Sequence, residues 1–157
     1  MSPDEIILLR ILKELKGARL ETILVGNTAC ALQGVPVMTQ DIDFFVRDTV
    51  LNRKKIARFA KGLKLFISKS NNAVGETIRT ENKEIVVDFV FRLGPKQTFN
   101  NVRSRSQLIK IGNLFCRVAS LEDLYLAKSC LGREKDKALL KIIKDTIRVK
   151  NIFTKER

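Results

Sequence analysis

Apolar positions take up a helical period almost at once. Leu8, Ile11, Leu12 and Leu15 recur at i, i+3, i+4 and i+7, the stripe of an amphipathic helix. Ser2-Pro3-Asp4-Glu5 supplies an N-cap serine, a first-turn proline and a capping-box glutamate, and Gly17 closes the helix. The pattern then shortens. Glu21–Gly26 reads as a buried strand that runs into a short helix, Asn27–Gly34. Gln40–Val46 is an apolar strand interrupted by two aspartates. Asp48-Thr49 caps a helix with Ile56, Phe59, Ala60 and Leu63 inward and Arg53, Lys54, Lys55, Arg58 and Lys61 outward. Leu65–Ile67 predicts a short strand, Ser70–Gly75 a polar loop, and Glu76–Thr80 and Glu84–Phe91 two strands joined around Asn82-Lys83. Leu108–Ile111 and Leu114–Val118 flank Gly112-Asn113, a hairpin signal. Ser120 and Asp123 start a helix through Leu131, and Leu139, Ile142, Ile143 and Ile147 stripe the last one. Strands interleaved with helices in this way predict an α+β chain: a short mixed sheet flanked by helices, with a C-terminal helical pair.

Length and composition fit that outline. The 157 residues predict one domain, with an α/β core over 1–118 and helices over 119–157 packed on it; no repeat or linker interrupts them. A hydrophobic fraction of 45% beside 30% charged residues describes a chain with a real core and excludes disorder. No apolar run reaches the length of a membrane span. Asp4 and Glu5 stand where a secretion signal would be basic. Three widely spaced cysteines, Cys30, Cys116 and Cys130, suit free thiols in a reducing, cytoplasmic compartment. The absence of histidine and of paired cysteines argues against zinc. Charge changes the picture more. The net charge is +13: residues 1–78 carry 12 basic and 8 acidic side chains, and residues 79–157 carry 18 and 9. Such an excess points to a polyanionic partner, nucleotide or nucleic acid, or else to a lysine-rich solvated surface.

The candidate chemistry centres on Asp41-Ile42-Asp43. On a strand the two carboxylates share a face, roughly 6.5–7 Å apart. Like charges so placed force one group to take up a proton unless a cation joins them. Hard oxygen ligands suit Mg²⁺ or Mn²⁺. Asp88 stands alone among Ile85, Val86, Val87, Phe89, Val90 and Phe91, and a buried carboxylate is costly unless paired or metal-bound. A site shared with Asp41 and Asp43 gives Asp88 its reason; a strand-end carboxylate hydrogen-bonded to a neighbouring loop is the alternative. Three carboxylates on two strands meet the needs of two-metal phosphoryl chemistry, with two ions about 3.5–4 Å apart. The strand–Gly26–helix junction adds a close backbone approach and free amides at Asn27 and Thr28, favourable to phosphate; an ordinary capped turn is the alternative.

The stretch Leu24-Val25-Gly26-Asn27-Thr28-Ala29, through Gly34, to Thr39-Gln40-Asp41-Ile42-Asp43 resembles the signature of the DNA polymerase β-like nucleotidyltransferases. In that superfamily a Gly-Gly or Gly-Ser turn precedes an Asp-x-Asp strand, and a third aspartate follows on a later strand. The chain looks most like the small AbiEii-type and related prokaryotic members. Val118–Lys128 is similar to their ASLEDLxxxK segment, and Gly132-Arg133-Glu134-Lys135-Asp136 to the R-x-K-D that follows. The chain departs from the pattern at Asn27, at Val37, where many relatives have arginine, and at Leu139, where an aspartate is common.

The resemblance implies a nucleotidyltransferase fold and transfer of a nucleoside monophosphate from an NTP to an acceptor hydroxyl, on RNA such as tRNA or on a protein, in a toxin–antitoxin or phage-defence setting. Asp41, Asp43 and Asp88 would hold two Mg²⁺ or Mn²⁺ ions, and Gly26, Asn27 and Thr28 would cradle phosphate. Lys128 would reach the triphosphate, or else snorkel to solvent, and Arg133 is a weaker candidate for the same task. Lys137, Lys141, Lys144 and Arg148 share one helix face. With Arg103 and Arg105, in a loop after Gly94-Pro95, they could track a nucleic-acid backbone. The alternative is a non-catalytic nucleotide- or RNA-binding module on a degenerate site, favoured by Asn27 and Val37.

Overall fold

The computed structural model describes residues 1–38, 41–72 and 75–155. Its elements are α1 (Pro3–Gly17), β1 (Ile23–Val25), α2 (Gly26–Leu32), β2 (Ile42–Phe45), α3 (Val50–Gly62), β3 (Phe66–Asn72), β4 (Gly75–Glu81), β5 (Val86–Val90), α4 (Phe99–Arg105), β6 (Gln107–Ile111), β7 (Leu114–Val118), α5 (Leu121–Leu131) and α6 (Lys137–Lys155), with a single 3₁₀ turn at Glu134–Asp136. The strands form one mixed seven-stranded sheet in the order β3-β4-β5-β2-β1-β7-β6. β2 lies parallel to β5 and antiparallel to β1; β1 runs parallel to β7. Among the described residues no helix is long and apolar enough to cross a membrane.

Local signals acted as their chemistry dictates. Ser2 and Glu5 complete the reciprocal capping box of α1, and Leu8, Ile11, Leu12 and Leu15 are its buried residues. Thr49 accepts from the Asn52 amide to start α3, and Ser120 from the Asp123 amide to start α5. Gly112 and Gly132 take positive φ of 61° at the hairpin turn and the α5 C-cap.

Alternation then sorts the two faces of the central strands. Phe44 and Phe89 are register partners on β2 and β5. Both are fully buried, and Phe59 of α3 meets Phe89 edge-on with ring centroids 5.4 Å apart. The period of two therefore puts Asp43 and Asp88, the preceding pair in the same register, on the other face of the sheet.

Three local expectations need correction. Asp41 precedes β2 instead of lying within it, and Gln40 and Thr39 fall outside the described residues. The polar segment from Ser70 is not a loop: β3 continues to Asn72 and pairs with β4. Residues 66–71 of this edge strand are exposed on both faces, so no apolar alternation marked it. Arg103 and Arg105 lie on α4, not in a loop. That helix has seven residues and buries only Phe99 and Val102, too short to show a period.

Candidate active site

Asp43 and Asp88 face each other across the parallel β2–β5 pair, and Asp41 stands two residues before Asp43, just ahead of β2. All three line one cavity of about 510 Å³, with Gly26, Asn27, Lys128 and Arg133 also in its wall. Strand pairing makes this meeting obligatory, because the register that buries Phe44 against Phe89 also aligns Asp43 with Asp88.

Burial and crowding decide the charge state of the central carboxyl. Burial first, then the neighbouring Asp88 and Asp41, push Asp43 up to about 7, against the opposing pull of Lys128 and Arg79. The proton or cation demanded by the paired aspartates thus falls on Asp43.

Asp88 is only 7% exposed, and an arginine absent from the sequence reading satisfies it. Arg79 of β4 is its register partner. Its Nε donates to Asp88 Oδ1 and its Nη2 to Asp88 Oδ2, both at 2.9 Å, and Nη2 also reaches Asp41 Oδ2 at 3.2 Å. In sequence Arg79 is one more charge on a mixed strand. Only the β4–β5 register reveals its role.

The glycine turn is shaped around the same carboxylate. Gly26 has φ +70°, and a Cβ there would run into the Asp43 carboxylate. Asn27 follows with a buried Oδ1 that has no partner among the described residues. Thr28 does something other than line the cavity: its hydroxyl donates to the Asp41 carbonyl at 3.1 Å, tying the start of β2 to α2. No side chain caps α2.

Lys128 is 8% exposed in the cavity wall and does not snorkel to solvent. Arg133 reaches the wall while its Nε donates to Asp136 at 2.7 Å. The remaining predicted cations are not brought to the carboxylates. Lys137 pairs with Glu134 at 2.7 Å, and Lys141, Lys144 and Arg148 are exposed on α6. Arg103 lies 3.5 Å from Glu21, and Arg105 makes two bonds to the buried Asp123 at 2.8 and 2.9 Å. None of these six lines the aspartate cavity.

As a metal site the donors are of the right chemistry, carboxylate oxygens suited to a hard divalent cation. Asp41 and Asp43 would be the ligands of a first ion; for a second, Asp88 would first have to give up bonds to Arg79. Among the described residues no group of three or more acidic, histidine or cysteine side chains forms a ready cage.

A family model described as a nucleotidyl transferase of unknown function (DUF2204) matches residues 5–157. No curated protein matches the chain significantly. Among solved structures, a protein from Thermotoga maritima with a provisional nucleotidyltransferase assignment is similar at 23% identity and a TM-score of 0.65, over 92% of this chain and 96% of that one. The lincosamide antibiotic adenylyltransferase LnuA, solved with lincomycin bound, shares 14% identity and a TM-score of 0.64 over 93% and 98%. The antibiotic-resistance factor ANT(2'')-Ia shares 14% and 0.57 over 98% and 95%. At such identities the likeness is one of fold, a nucleotidyltransferase fold as the motifs suggested. The match along nearly the whole chain places the protein in the family of nucleotidyl transferases of unknown function.

Proposed function

We propose that the chain moves a nucleoside monophosphate from an NTP to an acceptor hydroxyl at the Asp41–Asp43–Asp88 cavity. The observation that carries this reading is the register pairing of Asp43 with Asp88 beside Gly26, whose missing side chain makes room for the carboxylate. The +13 net charge suits a polyanion, and the triphosphate is one. Asp41 and Asp43 would hold the first divalent ion and Asp88 the second. Bound there, Mg²⁺ or Mn²⁺ supplies charge neutralisation on the phosphates. Gly26 and Asn27 offer backbone amides to phosphate, and Lys128 its ammonium. The acceptor oxygen attacks the α-phosphorus in line, forming the new P–O bond. The bond to the bridging oxygen breaks, and its electron pair leaves with pyrophosphate. The acceptor proton passes to Asp88 as Arg79 loosens its hold. RNA, tRNA or partner-protein acceptors in a toxin–antitoxin or phage-defence setting draw no support from the cavity wall, since the basic face of α6 does not reach it.

A second reading, nucleotide binding without turnover, is favoured by one observation: both oxygens of Asp88 are already bonded to Arg79. Incubation with Mg²⁺, each α-labelled NTP and cell extract separates the two. The transferase reading expects label in an acceptor, reduced by about a hundredfold or more in Asp41→Asn and Asp43→Asn. NTP binding with no label transfer in wild type, unchanged by both substitutions, would overturn it.

A further inference from the structure

We infer that a second cavity beside the aspartates is the acceptor subsite, and that it takes a small hydroxylated organic molecule with an apolar ring or chain, not a nucleic acid. The inference rests on the transferase reading above. This cavity holds about 740 Å³, the size of a small-molecule site. Phe45, Phe91, Leu93, Pro95, Phe99 and Leu131 give it an apolar wall. It adjoins the aspartate cavity, with Arg92, Leu93 and Leu131 as a common wall. Asp88 and Val90 of β5 line the aspartate cavity on one face of the strand, and Arg92, just beyond its end, lines both cavities. A molecule seated here would carry its reacting hydroxyl across that common wall to the aspartates.

Gln97 supplies the polar anchor. It is 6% exposed, and its Nε2 donates to the Asp123 carbonyl at 2.8 Å and to Asp123 Oδ1 at 3.1 Å. Those two bonds fix the amide, leaving Oε1 buried and without a partner among the described residues. A buried acceptor without a donor costs free energy, which a ligand hydroxyl or amine would recover once a local shift of the wall exposes Oε1. Gly94 keeps the space beside it open: a Cβ there would stand 2.5 Å from Gln97 Oε1 and 3.4 Å from Cys130 Sγ.

The charges around the cavity argue against a polyanion. Arg47 is bonded to Glu21 and lies over the Phe99 ring. Arg53 lies over Phe91 and pairs with Asp48 and Glu76. Those guanidiniums are matched by acids, Arg92 alone adds a cation without an acid partner among the described residues, and Lys137, Lys141, Lys144 and Arg148 of α6 line neither cavity. A nucleic-acid site would instead leave a track of unmatched cations.

The test uses the single accessible thiol. Cys130 is exposed and lines the second cavity alone, whereas Cys30 and Cys116 are buried. Folded wild-type protein is alkylated with N-ethylmaleimide, which avoids any folding defect, and Cys130→Trp is prepared alongside. Each is incubated with Mg²⁺, α-labelled NTPs and either the ultrafiltered low-molecular-weight fraction of a bacterial extract, its protein fraction, or bulk tRNA. Unmodified protein is expected to label a compound in the low-molecular-weight fraction. Alkylation or Cys130→Trp should cut that labelling by about tenfold or more, with Mn²⁺-dependent NTP binding changed less than about twofold. Labelling of tRNA or protein alone, or small-molecule labelling indifferent to both blocks, overturns the inference and leaves the transferase reading standing. Labelling of no fraction at all overturns the transferase reading, and this inference with it.

Discussion

Arg79 grips Asp88 through two bonds of 2.9 Å across neighbouring antiparallel strands and extends a third, of 3.2 Å, to Asp41. Asp88 is nearly buried, whereas the arginine side chain is 41% exposed. The pair is therefore a half-screened ion pair, intermediate between surface and buried cases. Arg79→Met should destabilise the protein by about 1–2 kcal/mol. The carboxylates it leaves unmatched should welcome another cation. Added Mn²⁺ is expected to raise the melting temperature of Arg79→Met more than that of wild type, by thermal denaturation with and without the ion. Equal increments would show that Arg79 and the ion do not share these oxygens.

Asp43 carries the pH dependence. Its folded value, about 7, lies above its ordinary value because of burial and of Asp88 and Asp41. Between about pH 4 and pH 7 the folded state then holds more protons than the unfolded state, so this group's contribution to stability falls as pH rises through that window. Asp43→Asn removes the dependence. It should match wild type near pH 4 and exceed it at pH 8, by a few kcal/mol at most, in denaturant titrations at the two pH values. A variant less stable than wild type at pH 8 would contradict the assignment.

Lys128 opposes that shift with a buried positive charge. Lys128→Met should push Asp43 still higher, so Mn²⁺-dependent nucleotide binding should set in at a more alkaline pH. Removing a charge-assisted phosphate contact should also weaken NTP binding by about tenfold. Binding isotherms across pH check both, and an unmoved onset would place Lys128 too far from Asp43 to matter.

Two glycines with similar backbone angles make a controlled comparison. Gly26 at φ +70° abuts Asp43, whereas a Cβ at Gly132, φ +61°, would meet open space among the described residues. Alanine at either position should cost about 1–2 kcal/mol for the left-handed backbone. Only Gly26→Ala should also weaken Mn²⁺ binding, by about tenfold, because it displaces the carboxylate. Equal metal affinity in the two variants would separate the turn from the site.

The helical periods, the caps and the trio of aspartates were legible in the chain because each is a local signal. Leu8 to Leu15 announce α1, and one carboxylate among the apolar residues around Asp88 announces a partner. Register is not local. Arg79 and Asp88 are nine positions apart, and only the β4–β5 pairing aligns them. The roles of Thr28 and Gln97 were equally hidden, since their bonds run to the Asp41 carbonyl and to Asp123. Short elements escaped for another reason: α4 and the exposed half of β3 bury too few residues to impose a pattern. Helical spacing puts Lys137, Lys141, Lys144 and Arg148 on one face, but the place of that face relative to the aspartates depends on packing that no spacing encodes.

Parallel incubations with α-labelled and γ-labelled NTP, Mg²⁺ and bacterial extract test the central claim most directly. Transfer of a nucleoside monophosphate predicts that the α label enters the acceptor while the γ label leaves in pyrophosphate, and that both fates disappear in Asp43→Asn. Entry of the γ label into the acceptor, or an acceptor that takes up no α label, would contradict the account.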